Sequence, residues 1–115
     1  MQQNLTIKVA SPTAKYQVVK FKGEFDKAGH SGIKEEVDKI VKELKVGMLV
    51  FDFSELKFIN SEGIGYLMEI HTYLSKNDKK LVIVGITSNV EDVFKAIGIQ
   101  SIMPVYKSLS SVKGK

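Results

Sequence analysis

Two short apolar runs constrain the fold of this chain more than any other feature. MLVFDF (48–53) is apolar at every position except Asp52, and LVIVGI (81–86) is interrupted only by Gly85. A strand that is buried on one face alternates apolar and polar residues, whereas a continuous apolar run is typical of a strand covered on both faces. The two runs are therefore predicted to be neighbouring interior strands of a sheet that is flanked by helices.

The segment before the first run predicts a β-hairpin and a helix. Residues 4–9 alternate as a half-buried strand does, turn-forming residues follow in SPTAK (11–15), and YQVVKF (16–21) predicts a second strand that Gly23 ends. Apolar residues then recur at helical spacing from residue 33 to residue 44, with charges between them.

Two further helices and a last strand complete the pattern. One helix is predicted to begin at about Ser61. Another follows the second run, where Ser88 and Glu91 have the spacing of a capping box, and Gly98 is placed to end it. SIMPVY (101–106) predicts a short final strand, at an edge or a strand end because it contains a proline.

The resulting order is β-β-α-β-α-β-α-β, which predicts an α/β fold. We expect a mixed sheet of four to five strands, with an N-terminal hairpin and flanking helices. The length of 115 residues fits a single domain, residues 1–115, with a core at about 4–112.

Composition excludes several classes of function. The chain has no cysteine, so disulfide frameworks and thiolate metal sites are excluded. Its N-terminus lacks signal-peptide order and its apolar runs are far too short to cross a bilayer, so we expect a soluble cytoplasmic protein with no membrane insertion. The net charge of +4 comes from lysines interleaved with acids, which indicates solvated helix faces rather than nucleic-acid binding.

The segment FINSEGIGY (58–66) joins the first apolar run to the second helix and carries the most informative polar residues. Gly63 and Gly65 form a G-x-G, but the third glycine of a dinucleotide motif and the G-K-[ST] of a P-loop are absent. Ser61 lacks the G-x-S-x-G context of a hydrolase nucleophile. The two histidines, His30 and His71, are isolated and predict neither a metal site nor a catalytic base, so no cofactor is expected.

Modification and docking remain for this segment. A serine at a helix N-terminus can cap the first turn, and a phosphate there gains from free N–H groups and the helix dipole. Either Ser61 or Asn60 could be an ordinary cap. Gly63 and Gly65 are costly in a first helical turn, and we interpret them as leaving the helix entrance bare for the backbone of another protein.

These residues resemble the STAS domain of bacterial anti-sigma factor antagonists. In that family an apolar strand ends in three consecutive residues, Asp, then Leu or Phe, then Ser. A few residues later come Asp-Ser-Ser/Thr-Gly-Leu-Gly and a helix. FDFSELKFINSEGIGYLMEIHTYL matches this order, with Asp52 and Ser54 at the strand end, Ser61 on the serine that a partner kinase phosphorylates, and GIG (63–65) on Gly-Leu-Gly. GEFD (23–26) is similar to the Gly-x-Leu-Asp segment whose Asp lies near the phosphoserine.

Two positions depart from the family pattern. Asn60 stands where the family has Asp, and Glu62 stands where it has the second Ser or Thr. Asn60 can still accept hydrogen bonds and cap the helix, whereas the Glu62 carboxylate would repel a phosphate on Ser61.

The resemblance implies partner switching without catalysis by this chain. The unphosphorylated domain would bind an anti-sigma factor serine kinase and free a sigma factor, phosphorylation of Ser61 would end the complex, and a cognate phosphatase would reset it. Loops after parallel strands gather at one end of a sheet, so the expected partner-binding residues form one surface. They are Gly23, Glu24, Asp26, Asn60, Ser61, Glu62, Gly63, Ile64, Gly65, Thr87, Ser88 and Asn89.

Two alternatives stay open at this point. One is a STAS domain that acts as a phosphorylation-independent scaffold or regulatory subunit of a stress-signalling complex or a transporter. The other is a small enzyme that uses Asp26, Asp52 and Ser61 in a deep polar pocket. The sequence also leaves the oligomeric state open between a monomer and a weak dimer.

Overall fold

A computed structural model describes residues 4–113 of the chain. The predicted domain boundaries at residues 1–3 and 114–115 lie outside the described residues. The strands are β1 (Leu5–Val9), β2 (Tyr16–Phe25), β3 (Met48–Ile59), β4 (Lys80–Val84) and β5 (Val105–Tyr106). The helices are α1 (Lys27–Lys42), α2 (Ser61–Lys76), α3 (Ser88–Ile97) and α4 (Leu109–Lys113), with a 3₁₀ turn at Ile99–Ser101.

The five strands form one sheet in the order β1-β2-β3-β4-β5. β1 and β2 pair antiparallel as the predicted hairpin, and every other pair of neighbours is parallel. The fold prediction is therefore confirmed. The two apolar runs lie side by side in β3 and β4, inside the sheet.

Both faces of these interior strands are covered, as their continuous apolarity predicts. On one face, the helices α1, α2 and α3 bury a core that contains Phe21, Phe51, Phe53 and Phe94, whose side chains are fully buried. On the other face, Val50, Val82 and Val84 pack against Val112 of α4. Within the core under the three helices, the rings of Phe21 and Phe53 pack edge to face with their centroids 5.2 Å apart, an arrangement that aromatic pairs prefer.

Two strands are longer than the sequence predicts. β2 continues through Gly23 to Phe25, and β3 continues for six residues beyond Phe53 to Ile59. The prediction that Gly23 ends the second strand is wrong. Gly23 has a φ of +117°, and a Cβ there would overlap the carbonyl oxygen of Asn4. A glycine is therefore needed inside the strand, at the position where β1 pairs with it.

The extension of β2 and β3 is irregular, which explains why alternation does not reveal it. The register between the two strands shifts between Lys20 and Lys22 and again between Gly23 and Glu24. Such bulges break the period of two that marks a strand in sequence. Both strands continue past the end of β4 and stay paired to Phe25 and Ile59, so α1 and α2 begin side by side.

The prediction that Ser88 is the N-cap of α3 is wrong, because the helix begins one residue earlier than a capping box at Ser88 and Glu91 requires. Thr87 is the N-cap and Ser88 is the first helical residue. The Thr87 hydroxyl donates to the Leu56 carbonyl oxygen at 3.0 Å instead of capping the helix. That bond ties the start of α3 to β3, and the other end of α3 stops at Gly98 in the left-handed conformation, as predicted.

The last predicted strand is shorter than its sequence suggests. Only Val105–Tyr106 pairs with β4, because residues 99–101 form the 3₁₀ turn and Pro104 precedes the pairing. None of the helices within residues 4–113 is long and apolar enough to span a membrane.

Candidate functional site

The candidate site lies where β2 and β3 end together and α1 and α2 begin. Phe25 and Ile59 are paired at the last position of the two strands, and the Asn60 N–H donates to the Phe25 carbonyl oxygen at 3.2 Å. Asp26 and Asn60 therefore follow as neighbours, and each is the N-cap of its helix.

Asparagine 60 organises the first turn of α2. Its side-chain oxygen accepts hydrogen bonds from the N–H groups of Glu62 at 3.0 Å and Gly63 at 3.3 Å. In the same way, the Asp26 carboxylate accepts from the N–H of Gly29 at 2.8 Å. Of the two caps considered for α2, the structure selects Asn60, because its extended backbone and short amide side chain suit the position before the helix.

Serine 61 is consequently free of the capping role. It is the first residue of α2 and is exposed, and its hydroxyl makes no hydrogen bond to any residue between 4 and 113. A hydroxyl in this position is held by a rigid helical turn and is open to another protein. The arrangement suits a group that is modified or recognised from outside.

The two glycines of the motif differ in their surroundings. Gly63 is buried, and a Cβ there would lie 2.7 Å from Ile59 Cγ1 and 2.8 Å from the Phe25 carbonyl oxygen. The interpretation that Gly63 leaves the helix entrance bare for a partner is therefore wrong, since Gly63 lets α2 approach β2 and β3 within the chain. A Cβ at Gly65 would meet nothing within 4 Å, so that position faces open space.

The remaining predicted residues of the surface are unevenly placed. Glu24 is exposed, Ile64 is buried, and Ser88 and Asn89 are exposed at the start of α3. Since Thr87 is bonded to Leu56, the third segment is set back from Asn60 by four residues of β3, or about 13 Å. The three segments share one end of the sheet, but the β2–α1 and β3–α2 junctions form its tip.

The three residues of the enzyme alternative are not brought together. Asp52 accepts a hydrogen bond from the Ser54 N–H at 2.9 Å inside β3, eight residues before Asn60. At about 3.3 Å per residue, that places Asp52 more than about 20 Å from Ser61 along the strand. Asp26 is engaged as a helix cap. This geometry supports no acid–base or nucleophilic site built from Asp26, Asp52 and Ser61.

Sequence reasoning missed His30 as a neighbour of this site. Its Nδ1 lies 3.7 Å from Glu62 Oε2, and its ring centroid lies 4.3 Å from that of Tyr66. His30 precedes Ile33 by three residues and Val37 by seven, which is the spacing of the buried stripe of α1. That spacing is the signal that it faces α2 rather than solvent.

A second polar cluster joins α1 to α2 one turn farther along. The Tyr66 hydroxyl donates to Asp38 Oδ1 at 2.5 Å, and Lys34 Nζ lies 2.5 Å from Asp38 Oδ2. Burial and the hydrogen bond to Asp38 raise the pKa of Tyr66 far above its usual range. Burial acts to raise the pKa of Asp38, but the hydrogen bonds from Lys34 and Tyr66 outweigh it and hold the pKa below the usual value.

The cavity between α1 and α2 is lined by this cluster. Its volume is about 180 Å³. It contains Lys34, Asp38, Tyr66 and Tyr73 in its walls, but not Ser61 or the two capping residues. The cavity is thus separate from the candidate site.

A Tyr66→Phe variant should lose about 1 to 2 kcal/mol of unfolding free energy at neutral pH, because Asp38 loses a buried donor. The pKa of Asp38 is lower in the folded state, so its stabilisation is present above the ordinary value of 3.8 and is lost as the pH falls through the folded-state value. The difference from the natural protein should therefore shrink below about pH 4. Urea unfolding across that range measures it.

Tyr73→Phe is the matched control for this prediction. Tyr73 lies on the same helix and also lines the cavity, but it is 41% exposed. Its unfolding free energy should change little. Equal losses in the two variants, or a Tyr66→Phe loss that does not depend on pH, would contradict the role given to Asp38.

Comparison with known proteins identifies the family. The sequence profile of the STAS domain matches residues 7–112, which is nearly the whole chain. The chain belongs to the STAS domain family.

Several solved structures share this STAS fold. An anti-sigma factor antagonist from Mycobacterium paratuberculosis has a TM-score of 0.83 at 21% identity, over 93% of this chain and 89% of that one. The anti-sigma factor antagonist SpoIIAA in its unphosphorylated form has a TM-score of 0.76 at 18% identity, over 93% of both chains. The Bacillus cell fate determinant SpoIIAA in its phosphorylated form has a TM-score of 0.70 at 17% identity, over 94% of this chain and 97% of that one.

Proposed function

We propose that this STAS domain is an anti-anti-sigma factor. In its unphosphorylated form it binds an anti-sigma factor that is also a serine kinase, and the sigma factor is thereby freed. Phosphorylation of Ser61 ends the complex, and a phosphatase resets the domain. In this scheme the domain is ligand and substrate rather than enzyme, and it works in the cytoplasm.

One observation carries the proposal. Ser61 presents an exposed hydroxyl without a partner among the described residues, on the first turn of a helix whose cap is supplied by Asn60. Nothing in the packing of residues 4–113 requires a hydroxyl there. The similarity to SpoIIAA, which is known in an unphosphorylated and a phosphorylated form, supports the same chemistry for this chain.

The charge of a phosphate explains how such a surface would release its partner. A phosphoserine carries about −1.5 to −2 charges at neutral pH. The junction already holds the carboxylates of Glu24, Asp26 and Glu62. A further negative charge buried against a partner would have to be desolvated without compensation, so the complex would dissociate.

The proposed partner-binding surface consists of the two strand–helix junctions and the start of α3. Gly65 is an open position of this surface, because a partner's backbone could approach the helix there without displacing a side chain. Gly63 and Ile64 belong to the surface only as internal support, since both are buried.

A second function is favoured by Glu62. Its carboxylate directly follows Ser61 and repels a phosphate there, which suits a STAS domain that docks without being phosphorylated, as a scaffold or regulatory subunit of a signalling complex or a transporter. The two functions differ in whether Ser61 is phosphorylated by a kinase and dephosphorylated by a phosphatase.

Affinity capture from the native cells tests both functions. The tagged natural protein should retain a serine kinase, and incubation with ATP should place phosphate on Ser61, as mapped by mass spectrometry. Capture of a stable assembly that contains no kinase, with Ser61 unmodified, would instead establish the scaffold. Capture with a Ser61→Ala variant should retain the kinase without accepting phosphate.

A further inference from the structure

A histidine of α1 faces the residue that follows the proposed phosphoacceptor. The His30 side chain is only 18% exposed, and its ring packs against those of Phe25 and Tyr66, with centroids 6.4 Å and 4.3 Å away. Its Nδ1 lies 3.7 Å from Glu62 Oε2, whose side chain is 48% exposed. The ring is thus held by packing, while the carboxylate near it is half exposed.

The two ring nitrogens of His30 lie in different environments. His30 Nε2 is buried and has no hydrogen-bond partner within the described residues. Nδ1 is the ring nitrogen that lies near the carboxylate, at 3.7 Å, which is within ion-pair range but longer than a hydrogen bond. His30 can therefore attract Glu62 through Nδ1.

Glu62 and Ser61 point in different directions. Consecutive residues of an α-helix are separated by about 100° around its axis. Glu62 approaches His30 on α1, and the exposed Ser61 lies about 100° from it around the helix axis. Two charged groups nearby are engaged elsewhere, since Asp26 caps α1 and Lys34 lies against the Tyr66 ring and Asp38, while Glu24 is exposed at the end of β2.

We infer that His30 is a positioning residue that holds the Glu62 carboxylate against α1 and so leaves Ser61 able to carry a phosphate. The inference rests on the proposed phosphorylation of Ser61. It resolves the departure at position 62, because a carboxylate next to a phosphoserine is tolerated when a donor from the neighbouring helix draws it aside. The pair His30–Glu62 would then determine how readily the switch accepts its phosphate.

The test uses protein with phosphoserine installed directly at position 61 by genetic encoding, so no kinase is needed. The urea midpoint of the phosphorylated chain is compared with that of the unphosphorylated chain in four backgrounds: natural, His30→Phe, Glu62→Gln and both together. His30→Phe keeps a ring against Tyr66 but removes the donor. We expect phosphate to lower the folding equilibrium constant about twofold to fivefold more in His30→Phe than in the natural protein.

The cycle separates positioning from a packing effect. In the Glu62→Gln background there is no carboxylate to hold, so His30→Phe should no longer change the effect of the phosphate. His30→Gln supplies an amide donor and should restore part of the natural behaviour. If His30→Phe does not fold, His30→Leu takes its place. The inference would be overturned if His30→Phe lowered the stability of the phosphorylated and unphosphorylated chains equally. It would also be overturned if His30→Phe changed the effect of the phosphate by the same amount in the natural and the Glu62→Gln backgrounds.

The outcome also distinguishes this inference from the proposed function. Coupling among His30, Glu62 and the phosphate is read from unfolding alone, whereas the function is read from partner binding. If unfolding shows coupling among His30, Glu62 and the phosphate, but the phosphate does not change kinase binding, the positioning role is retained and the switch is rejected. If the phosphate weakens kinase binding but unfolding shows no coupling, the switch is retained and the positioning role is rejected.

Discussion

A Ser61→Asp variant is expected to fold as well as the natural protein and to bind the proposed partner kinase about a hundredfold more weakly, or worse. Folding should be preserved because Ser61 is exposed, Asn60 supplies the cap, and a carboxylate suits the first turn of a helix. Binding should fail because an unpaired charge buried in an interface costs several kcal/mol. Urea unfolding and calorimetric titration with the co-purified kinase measure the two quantities.

Ser61→Ala is the control for that variant. Its unfolding free energy should be close to that of the natural protein, since the hydroxyl makes no hydrogen bond to the described residues. It should also keep the affinity for the kinase. If Ser61→Asp and Ser61→Ala bound the kinase equally well, Ser61 would not control docking.

A Gly63→Ala variant should lose about 1 to 3 kcal/mol of unfolding free energy. The added Cβ would lie within 3.0 Å of Ile59 Cγ1, the Phe25 carbonyl oxygen and Phe25 Cδ1. The Phe25 carbonyl oxygen also accepts the Asn60 N–H, so it cannot move without disturbing the junction of the two strands. Chemical denaturation measures the loss.

Gly65→Ala is the matched control, two residues farther along the same helix. A Cβ there meets nothing within 4 Å, so the better helix propensity of alanine should raise the unfolding free energy by up to about 1 kcal/mol. If Gly65 is an open position of the proposed partner surface, the same change should weaken kinase binding. Destabilisation by Gly65→Ala, or none by Gly63→Ala, would contradict the packing described for α2.

The fold was largely predictable because its strongest determinants are local patterns. MLVFDF and LVIVGI identify the interior strands without any knowledge of their partners, and the spacing of Ile33, Val37 and Val41 identifies α1. Continuous and periodic apolarity report how many faces of an element are covered. That information is present in a single sequence.

The ends of the elements were less predictable because they depend on tertiary contacts. β3 continues to Ile59 only because β2 pairs with it through two bulges, and bulges remove the alternation that marks a strand. Thr87 is the cap position of α3 but is bonded to Leu56, a residue 31 positions away. Competition between local capping and a distant carbonyl group cannot be read from neighbouring residues.

Some residues of the candidate site were predictable from sequence, and others were not. Asn60, Ser61 and Asp26 stand out in sequence because polar residues at a strand–helix junction are locally recognisable. Gly63 looks like a surface position but is required by packing against Phe25, and His30 looks isolated until α1 and α2 lie side by side. What a glycine makes room for, and what a histidine faces, is decided by the assembly of the elements.

The most direct measurement for the central claim is the affinity of the natural chain for the proposed partner kinase, before and after that kinase has been given ATP to phosphorylate it. The chain is incubated with the co-purified kinase and ATP, the phosphate is mapped, and both forms are titrated against the kinase without nucleotide turnover. The account predicts one phosphate on Ser61 and a loss of affinity of about a hundredfold or more. Phosphate on another residue, or equal affinities of the two forms, would contradict it.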